Sequence, residues 1–156
     1  MKQSLRLLSD VQEDRTGGSV AELLQTSGFN PAGMERAIRA AETRAMPDGT
    51  VGYEGTVESG FRPAINNVLW TGDAGLGASL DDMIAWERFI DATRDDPEGL
   101  YNRLTSPVTF LDGTADPYGL GPQRTSMVGR AMTMHGGGLP GWRSHRLHSA
   151  LARTLA

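Results

Sequence analysis

The sequence lacks cysteine and has almost no lysine: Lys2 is the only lysine among 15 basic residues, and the others are arginines. Without cysteine there are no disulfides, thiol nucleophiles or zinc–thiolate sites. Because arginine does not release its proton near neutral pH, any mechanism that needs a neutral lysine has only Lys2 to use. Long apolar runs are missing as well, since no segment approaches the roughly 18 residues of a membrane span. The N-terminal apolar run is too short for a signal peptide, so we expect a cytoplasmic protein.

The composition is that of a soluble globular chain at the polar end of the range. The 156 residues are 38% apolar and carry a formal net charge of −4. A chain of this length fits one domain with a real core. The basic residues are spread along the chain and form no block, which argues against nucleic acid as a partner.

Hydrophobic spacing predicts helices in the first two thirds of the chain. A stripe of leucines and valine predicts a helix over 3–15, and Ser19 with Glu22 forms a capping-box pattern for a second, short helix. Residues 27–34 look like a turn-rich connector, and 35–46 offer one or two further helical turns. The clearest helix begins after Ser79, within 79–96, and a short one falls within 97–107. Glycine and proline make the stretch 47–79 irregular or composed of short strands.

Strands are predicted towards the C-terminus, in 118–125, 129–136 and 141–150, where short runs are bounded by glycine and proline. The last two can pair antiparallel through the residues GGLPG. Helices followed by strands indicate an α+β fold. Two or three strands make a thin sheet with an open edge, so we expect residues 1–156 to form an incomplete domain.

Several candidate sites have ordinary structural explanations. The glycine-rich GDAGLGAS (72–79) lacks the spacing of a nucleotide-binding motif and is better explained as a turn that leads into the Ser79 cap. We therefore expect no cofactor. His145 and His148 lie three apart, so on a strand they point to opposite faces, and no carboxylate lies in the same run; we expect surface histidines and no metal site. The acids between 91 and 98 fit a solvated helix end, and the three tryptophans fit packing.

His135 is different because Gly136, Gly137 and Gly138 follow it. Three residues without side chains allow a ligand or another backbone to approach closely. The imidazole can give or take a proton near neutral pH, and glycine amides can stabilise a developing oxyanion. Trp142, beside the glycines, is a candidate pocket wall. From the residues alone, a catalytic and a structural role remain equally open.

The segments HGGGLPGWRSHRLH, VGYEG, DPYGLG and residues 70–104 resemble the later half of the catalytic domain of the penicillin-recognising serine hydrolases, and within them the D-aminopeptidases. The resemblance runs from about residue 4 to 149. It implies a partial β-lactamase/transpeptidase-like fold, in which helices precede two or three antiparallel strands of the family's central sheet. It also implies an enzyme that releases N-terminal D-amino acids from peptides, amides or esters through a serine acyl-enzyme. Alternatives are a D,D-peptidase, esterase or β-lactamase homologue, and a non-catalytic remnant or binding module.

The resemblance also assigns roles to the glycine run. His135-Gly136-Gly137 matches the third family motif, which is Lys-Thr-Gly in many members. His135 and Gly138 would then be catalytic, with the Gly138 amide as an oxyanion donor, and Gly136, Gly137 and Trp142 would contact substrate. A histidine in place of lysine would suit a substrate with a free amino end, which a lysine would repel.

The first two family motifs are absent. No Ser-x-x-Lys exists, because no serine precedes Lys2, and no tyrosine is followed two residues later by asparagine. By resemblance, the chain starts just past the second motif and ends before the C-terminal β-domains. We therefore expect the chain alone to be inactive, its partner to be a small peptide or D-amino acid amide, and its open sheet edge to favour self-association.

Overall fold

The computed structural model describes residues 2–39, 49–65 and 74–149, with side chains over 7–38, 49–65 and 74–149. The chain divides into two compact units, Met1–Phe89 and Ile90–Ala156. Within the described ranges, no helix is both long and apolar enough to cross a bilayer.

Helices open the first unit. Helix α1 covers Lys2–Thr16 and α2 covers Val20–Leu24, so both predicted helices are confirmed. The capping box predicted before α2 is complete. The Ser19 hydroxyl accepts from the Glu22 amide at 3.2 Å, and the Glu22 carboxylate accepts from the Ser19 amide at 2.8 Å. The bonds that the Ser19 amide and hydroxyl donate hold the pKa of Glu22 below its usual value.

The turn-rich connector predicted over 27–34 is mostly helical, and that prediction was wrong. The backbone continues through a π-helical turn, Gln25–Phe29, into the one-turn helix α3, Asn30–Ala32. Pro31 lies in the first turn of α3, where its missing N–H costs nothing. Gly33 then ends the helix at a φ of 72°, which glycine adopts without strain.

Short strands complete the first unit. Strand β1 covers Ile38–Arg39, where one or two helical turns were predicted, and residues 40–46 of that prediction lie outside the described ranges. Strands β2, Tyr53–Thr56, and β3, Gly60–Pro63, form an antiparallel hairpin within the region predicted as irregular or short-stranded. Strand β4, Leu76–Gly77, pairs with β1. Gly72 and Trp70 also lie outside the described ranges.

Helix α4 covers Leu80–Asp91. The predicted capping contacts are present: the Ser79 amide donates to the Asp82 carboxylate at 2.8 Å, and the Asp82 amide donates to the Ser79 hydroxyl at 3.1 Å. The helix ends five residues earlier than predicted, and the acids at 95, 96 and 98 are exposed in the turns that follow. Four buried residues form the core of the first unit: Phe29, Ala32, Met34 and Ala37. Partly buried side chains pack against them, namely Leu24 and, from α4, Ala85, Trp86 and Phe89. Trp86 is thus a packing residue, as predicted.

Strands dominate the second unit. After α5, Leu100–Thr105, strands β5, Val108–Thr109, and β6, Ala115–Asp116, form a small hairpin. Strands β7, Gln123–Met127, β8, Arg130–Leu139, and β9, Trp142–Ser149, form an antiparallel sheet in the order β7-β8-β9. The predicted hairpin of the last two strands is confirmed, with only Pro140 and Gly141 in its turn. The strand predicted from residue 118 starts at Gln123.

Candidate functional site

His135 lies on β8 at the point where the sheet narrows from three strands to two. Strand β7 pairs with β8 only as far as Met134, whereas β9 continues to pair with β8 up to Leu139. His135 is therefore the first residue of β8 that has no β7 neighbour, and its side chain is exposed. The glycine run follows it along this same open edge.

Tyr118 holds the imidazole of His135. The Tyr118 hydroxyl lies 2.6 Å from His135 Nε2, and the two rings are 5.9 Å apart between centroids with planes tilted by 60°. In the described part of the chain, Nδ1 of His135 has no hydrogen-bond partner. One ring nitrogen is thus fixed by the protein, and the other remains open to a ligand.

Several hydrogen bonds hold the loop that carries Tyr118 in place. The Tyr118 amide donates to the Asp116 carboxylate at 2.9 Å, the Leu120 amide to the Leu104 carbonyl at 2.8 Å, and the Arg124 amide to the Pro117 carbonyl at 2.8 Å. Gly119 is buried, and a Cβ there would overlap the Leu104 carbonyl oxygen and come within 2.9 Å of the Ser106 carbonyl oxygen. Only glycine fits this close backbone approach, so the position of Tyr118 is set by the unit's own backbone.

The hairpin register determines where the glycine amides point. Leu139 and Trp142 close a two-residue turn and so form a hydrogen-bonded pair, after which hydrogen-bonded and non-hydrogen-bonded pairs alternate. Gly137 opposite Ser144 is then hydrogen-bonded within the ladder. Gly138 and Gly136 occupy non-hydrogen-bonded positions, so their amides point away from β9, towards the edge that β7 leaves open. Neither amide has a hydrogen-bond acceptor among the described residues.

This arrangement fits an oxyanion site. An amide that points from a sheet edge and has no acceptor is available to stabilise negative charge on an approaching oxygen. The register gives Gly138 this geometry, and it gives the same to Gly136, for which the sequence predicts only a contact with substrate. Gly137 differs, because its amide serves the ladder.

Space around the glycines is unequal on the two faces of β8. A Cβ at Gly137 would collide with the Ser144 hydroxyl, whereas a Cβ at Gly136 or Gly138 would meet only ordinary van der Waals neighbours, at 3.8 Å and 3.5 Å. Gly137 lies on the same face as His135, since side chains alternate along a strand. The Ser144 hydroxyl therefore occupies the space beside Gly137 on that face, and a larger residue at 137 would have to displace it.

Trp142 is half-buried and lies opposite Leu139 in the register. Leu139 is four residues along β8 from His135, a separation of roughly 13 Å at the rise of a strand. The structure thus places Trp142 at the turn end of the hairpin, on the face that carries His135 and Gly137. Its contact with substrate stays a prediction.

The other two histidines differ from each other. His145 is exposed on β9, as predicted, but His148 is not a free surface histidine, and that expectation was wrong. Its side chain is 11% exposed and contacts the Arg94 guanidinium, with the Asp91 carboxylate 3.4 Å from Nε2. Arg94 also binds Asp91 at 2.6 Å and lies over the Tyr101 ring at 4.4 Å. The contacts of His148 thus connect β9 to Asp91 at the end of α4 and to Arg94 just after it.

Tyr118 is the site residue that sequence reasoning missed. The motif DPYGLG contributed to the family resemblance, but nothing in its spacing connects residue 118 to residue 135. Gly119 was the available signal, because a glycine inside a predicted strand often marks a close backbone approach.

No family model matches the chain. Curated relatives, however, match nearly all of it. The D-aminopeptidase of Gluconobacter oxydans is 76% identical over 153 residues, which is 98% of this chain and 29% of that protein. A D-aminopeptidase of Brucella anthropi is 52% identical over 147 residues, 94% of this chain and 28% of that protein. The predicted resemblance to D-aminopeptidases is confirmed, and the chain spans less than a third of the length of these relatives.

Solved structures support the fold. A penicillin-binding protein homologue from Pyrococcus abyssi superposes with a TM-score of 0.71 at 20% identity, over 92% of this chain and 34% of that one. A penicillin-binding protein from Bacillus halodurans gives a TM-score of 0.73 at 20% identity, over 92% of this chain and 45% of that one. The fold is therefore penicillin-binding-protein-like, with mixed helices and short antiparallel sheets, and the predicted α+β class is confirmed.

Proposed function

We propose that this chain supplies the substrate-side strand of a D-stereospecific aminopeptidase that acts through a serine acyl-enzyme. The observation that carries the proposal is the open edge of β8, where the His135 imidazole and the Gly138 amide both lack a partner on the ligand side among the described residues. The 76% identity to the Gluconobacter oxydans D-aminopeptidase supports the choice of reaction.

In the proposed reaction, a serine attacks the carbonyl of a D-amino acid amide, peptide or ester, and water then hydrolyses the acyl-enzyme. Both steps pass through a tetrahedral oxyanion, which the Gly138 amide stabilises together with the amide of the nucleophile. His135 binds the part of the substrate near the free amino group, and Gly136, Gly137 and Trp142 border the same substrate. No step requires a metal or an organic cofactor.

The nucleophile is not among these 156 residues, because the sequence contains no Ser-x-x-Lys. The proposed activity therefore requires a further polypeptide segment, and we expect this chain alone to turn over no D-amino acid amide. Its outer strand β9 has no partner on one side in the described sheet, so we expect self-association at high concentration. A cytoplasmic location remains a prediction from the sequence.

A chimera tests the function. The 153 residues of this chain that match the Gluconobacter oxydans enzyme would replace their counterparts there, and the chimera would be assayed with D-alanine p-nitroanilide. We expect kcat/KM close to that of the parent, and a fall of roughly tenfold in the matched His135→Ala chimera, which loses one hydrogen bond to the substrate. A folded chimera without activity, or one indifferent to His135→Ala, would reject the proposal.

The second candidate is a non-catalytic binding module, favoured by the absence of Ser-x-x-Lys and Tyr-x-Asn from the sequence. A D,D-peptidase, esterase or β-lactamase is a third, which rests on the fold alone. Assaying the chimera with a cephalosporin and a D-alanyl-D-alanine peptide separates these enzymes from an aminopeptidase. D-Alanine amide that binds to this chain, combined with a chimera that does no chemistry, would favour the binding module.

A further inference from the structure

We infer that Tyr118 is a positioning residue that fixes the neutral imidazole of His135 as its Nδ1–H tautomer, so that the open ring nitrogen offers an N–H donor to a ligand. The inference rests on the proposed function for its ligand but on geometry for the tautomer. The starting point is the 2.6 Å contact between the Tyr118 hydroxyl and His135 Nε2.

The direction of this hydrogen bond follows from the chemistry of the two groups. A phenol O–H is a stronger donor than a neutral imidazole N–H, and an imine nitrogen is a stronger acceptor than a phenol oxygen. The favoured arrangement therefore has the Tyr118 O–H donating to an unprotonated Nε2. The ring proton is then on Nδ1, which has no partner in the described part of the chain, and this N–H is what a ligand meets.

The framework around Tyr118 makes this contact a fixed feature of the unit. The Tyr118 amide bonds to Asp116, and the neighbouring Gly119 is buried where a Cβ would overlap the Leu104 carbonyl oxygen. Tyr118 also bridges to Gln123, the first residue of β7. The strand that ends beside His135 and the loop that fixes its imidazole are thus one continuous piece of chain.

A neutral donor has a consequence for specificity. Where the related motif has a lysine, the ligand meets a donor that also carries a positive charge, which attracts a carboxylate and repels an ammonium. An Nδ1–H donor keeps the hydrogen bond and removes that charge. The N–H can then bond to a carbonyl oxygen of the substrate, and His135 adds no positive charge to repel a free α-ammonium nearby.

Nitrogen NMR of the full chain tests the tautomer. Histidine labelled with ¹⁵N would be measured at a pH of about 8, above the ordinary imidazole pKa of about 6.5. For His135 we expect a protonated Nδ1 and an imine-type Nε2. In Tyr118→Phe, which keeps the ring, we expect the proton to move mainly to Nε2, while the exposed His145 serves as an internal control whose signals do not change.

A second variant helps to distinguish a change of tautomer from misfolding of the chain. Gly119→Ala keeps the tyrosine but displaces its loop, so it should shift the His135 signals in the same direction as Tyr118→Phe. The melting temperature of each variant shows whether it folds. If His135 carries its proton on Nε2 in the unsubstituted chain, or if neither variant changes its tautomer, the inference is wrong.

Kinetics of the chimera connect the tautomer to the substrate. Tyr118→Phe should lower kcat/KM for D-alanine p-nitroanilide about tenfold, by analogy with the roughly 10–100-fold lost when partners that orient metal-binding histidines are removed. An Nδ1–H signal in a chain whose chimera does no chemistry would support the positioning role and reject the proposed function alone.

Discussion

Asp82 and His135 are polar side chains on a helix and a strand, one in each compact unit. They differ in how many of their polar atoms have hydrogen-bond partners in the protein. Asp82 on α4 is 3% exposed, and its carboxylate accepts three hydrogen bonds, from the Arg36 amide and from the Ser79 amide and hydroxyl, at 2.7–3.0 Å. The His135 side chain on β8 is exposed and makes one hydrogen bond with the residues that the structure describes, at Nε2. A buried group with every partner supplied stabilises the fold, whereas an exposed group held at one atom is available to a ligand.

The same contrast separates neighbouring glycines of β8. Gly137 donates into the ladder with β9, and Gly138 presents its amide to the open edge. Replacing each glycine by proline removes the amide N–H whose role differs between the two positions, so this pair of substitutions should show the difference most strongly. We expect Gly137→Pro to destabilise the chain by about 3 kcal/mol, because it removes a ladder bond, and Gly138→Pro to cost much less.

Melting curves of the two proline variants check this prediction, with the unsubstituted chain as control. In the chimera, Gly138→Pro should also lower kcat by about 10²–10³-fold, the effect of losing one oxyanion donor. Equal destabilisation by the two substitutions would show that the register argument is wrong.

Removing the Asp82 carboxylate tests the structural side of the comparison. Asp82→Ala leaves the Arg36 amide and the Ser79 cap without their acceptor, so we expect a loss of about 1–3 kcal/mol of unfolding free energy. Denaturant titration measures the loss, and Asp81→Ala, one residue earlier on α4, is the matched control. The ¹⁵N signals of His135 should not move in either variant; a change there would mean that the two sites are coupled.

Lowering the pH should destabilise the fold by protonating the Asp82 carboxylate. Burial acts most strongly on the pKa of Asp82 and raises it, but the bonds from the Arg36 amide and from Ser79, with the Arg36 charge, outweigh burial and hold the pKa below its usual value. A lowered folded-state pKa means that the stabilisation is present above the unfolded pKa, about 3.9, and is lost as the pH falls through the folded value. Stability should therefore fall below about pH 4, and less steeply in Asp82→Asn.

The smallest expected effect concerns the turn between β7 and β8. Val128 and Gly129 both have positive φ, 51° and 74°, the pattern of a type I′ turn, and valine is strained there. Val128 is 92% exposed, so its replacement removes no packing. Val128→Asn should raise the unfolding free energy by about 1 kcal/mol. Gly129→Ala should lower it, and a stabilising effect of both would contradict the turn assignment.

Local patterns predicted much of the fold because each is satisfied within a few residues. Ser19 with Glu22, Ser79 with Asp82, and the Pro140-Gly141 turn all depend on bonds between near neighbours in sequence. The π-helical turn over Gln25–Phe29 escaped prediction because glycine and proline there were taken as signs of a turn, although both suit the helix ends that they occupy.

The candidate site was predicted in part. His135 and its glycines are contiguous, so their chemistry is visible in the sequence, but the direction of each amide depends on the hairpin register. Tyr118 and His148 depend on contacts 17 and 54 residues apart, with His135 and Arg94 respectively. No periodicity encodes such pairs, because tertiary packing alone brings them together.

Substrate selectivity of the chimera tests the central claim most directly. The ratio of kcat/KM for D-alanine p-nitroanilide to that for N-acetyl-D-alanine p-nitroanilide would be measured before and after His135→Lys. If His135 provides an uncharged contact beside the substrate's free amino group, the lysine should lower this ratio at least about tenfold, because like charges then meet. An unchanged ratio in a folded, active His135→Lys chimera would contradict the assignment of this strand edge to the substrate.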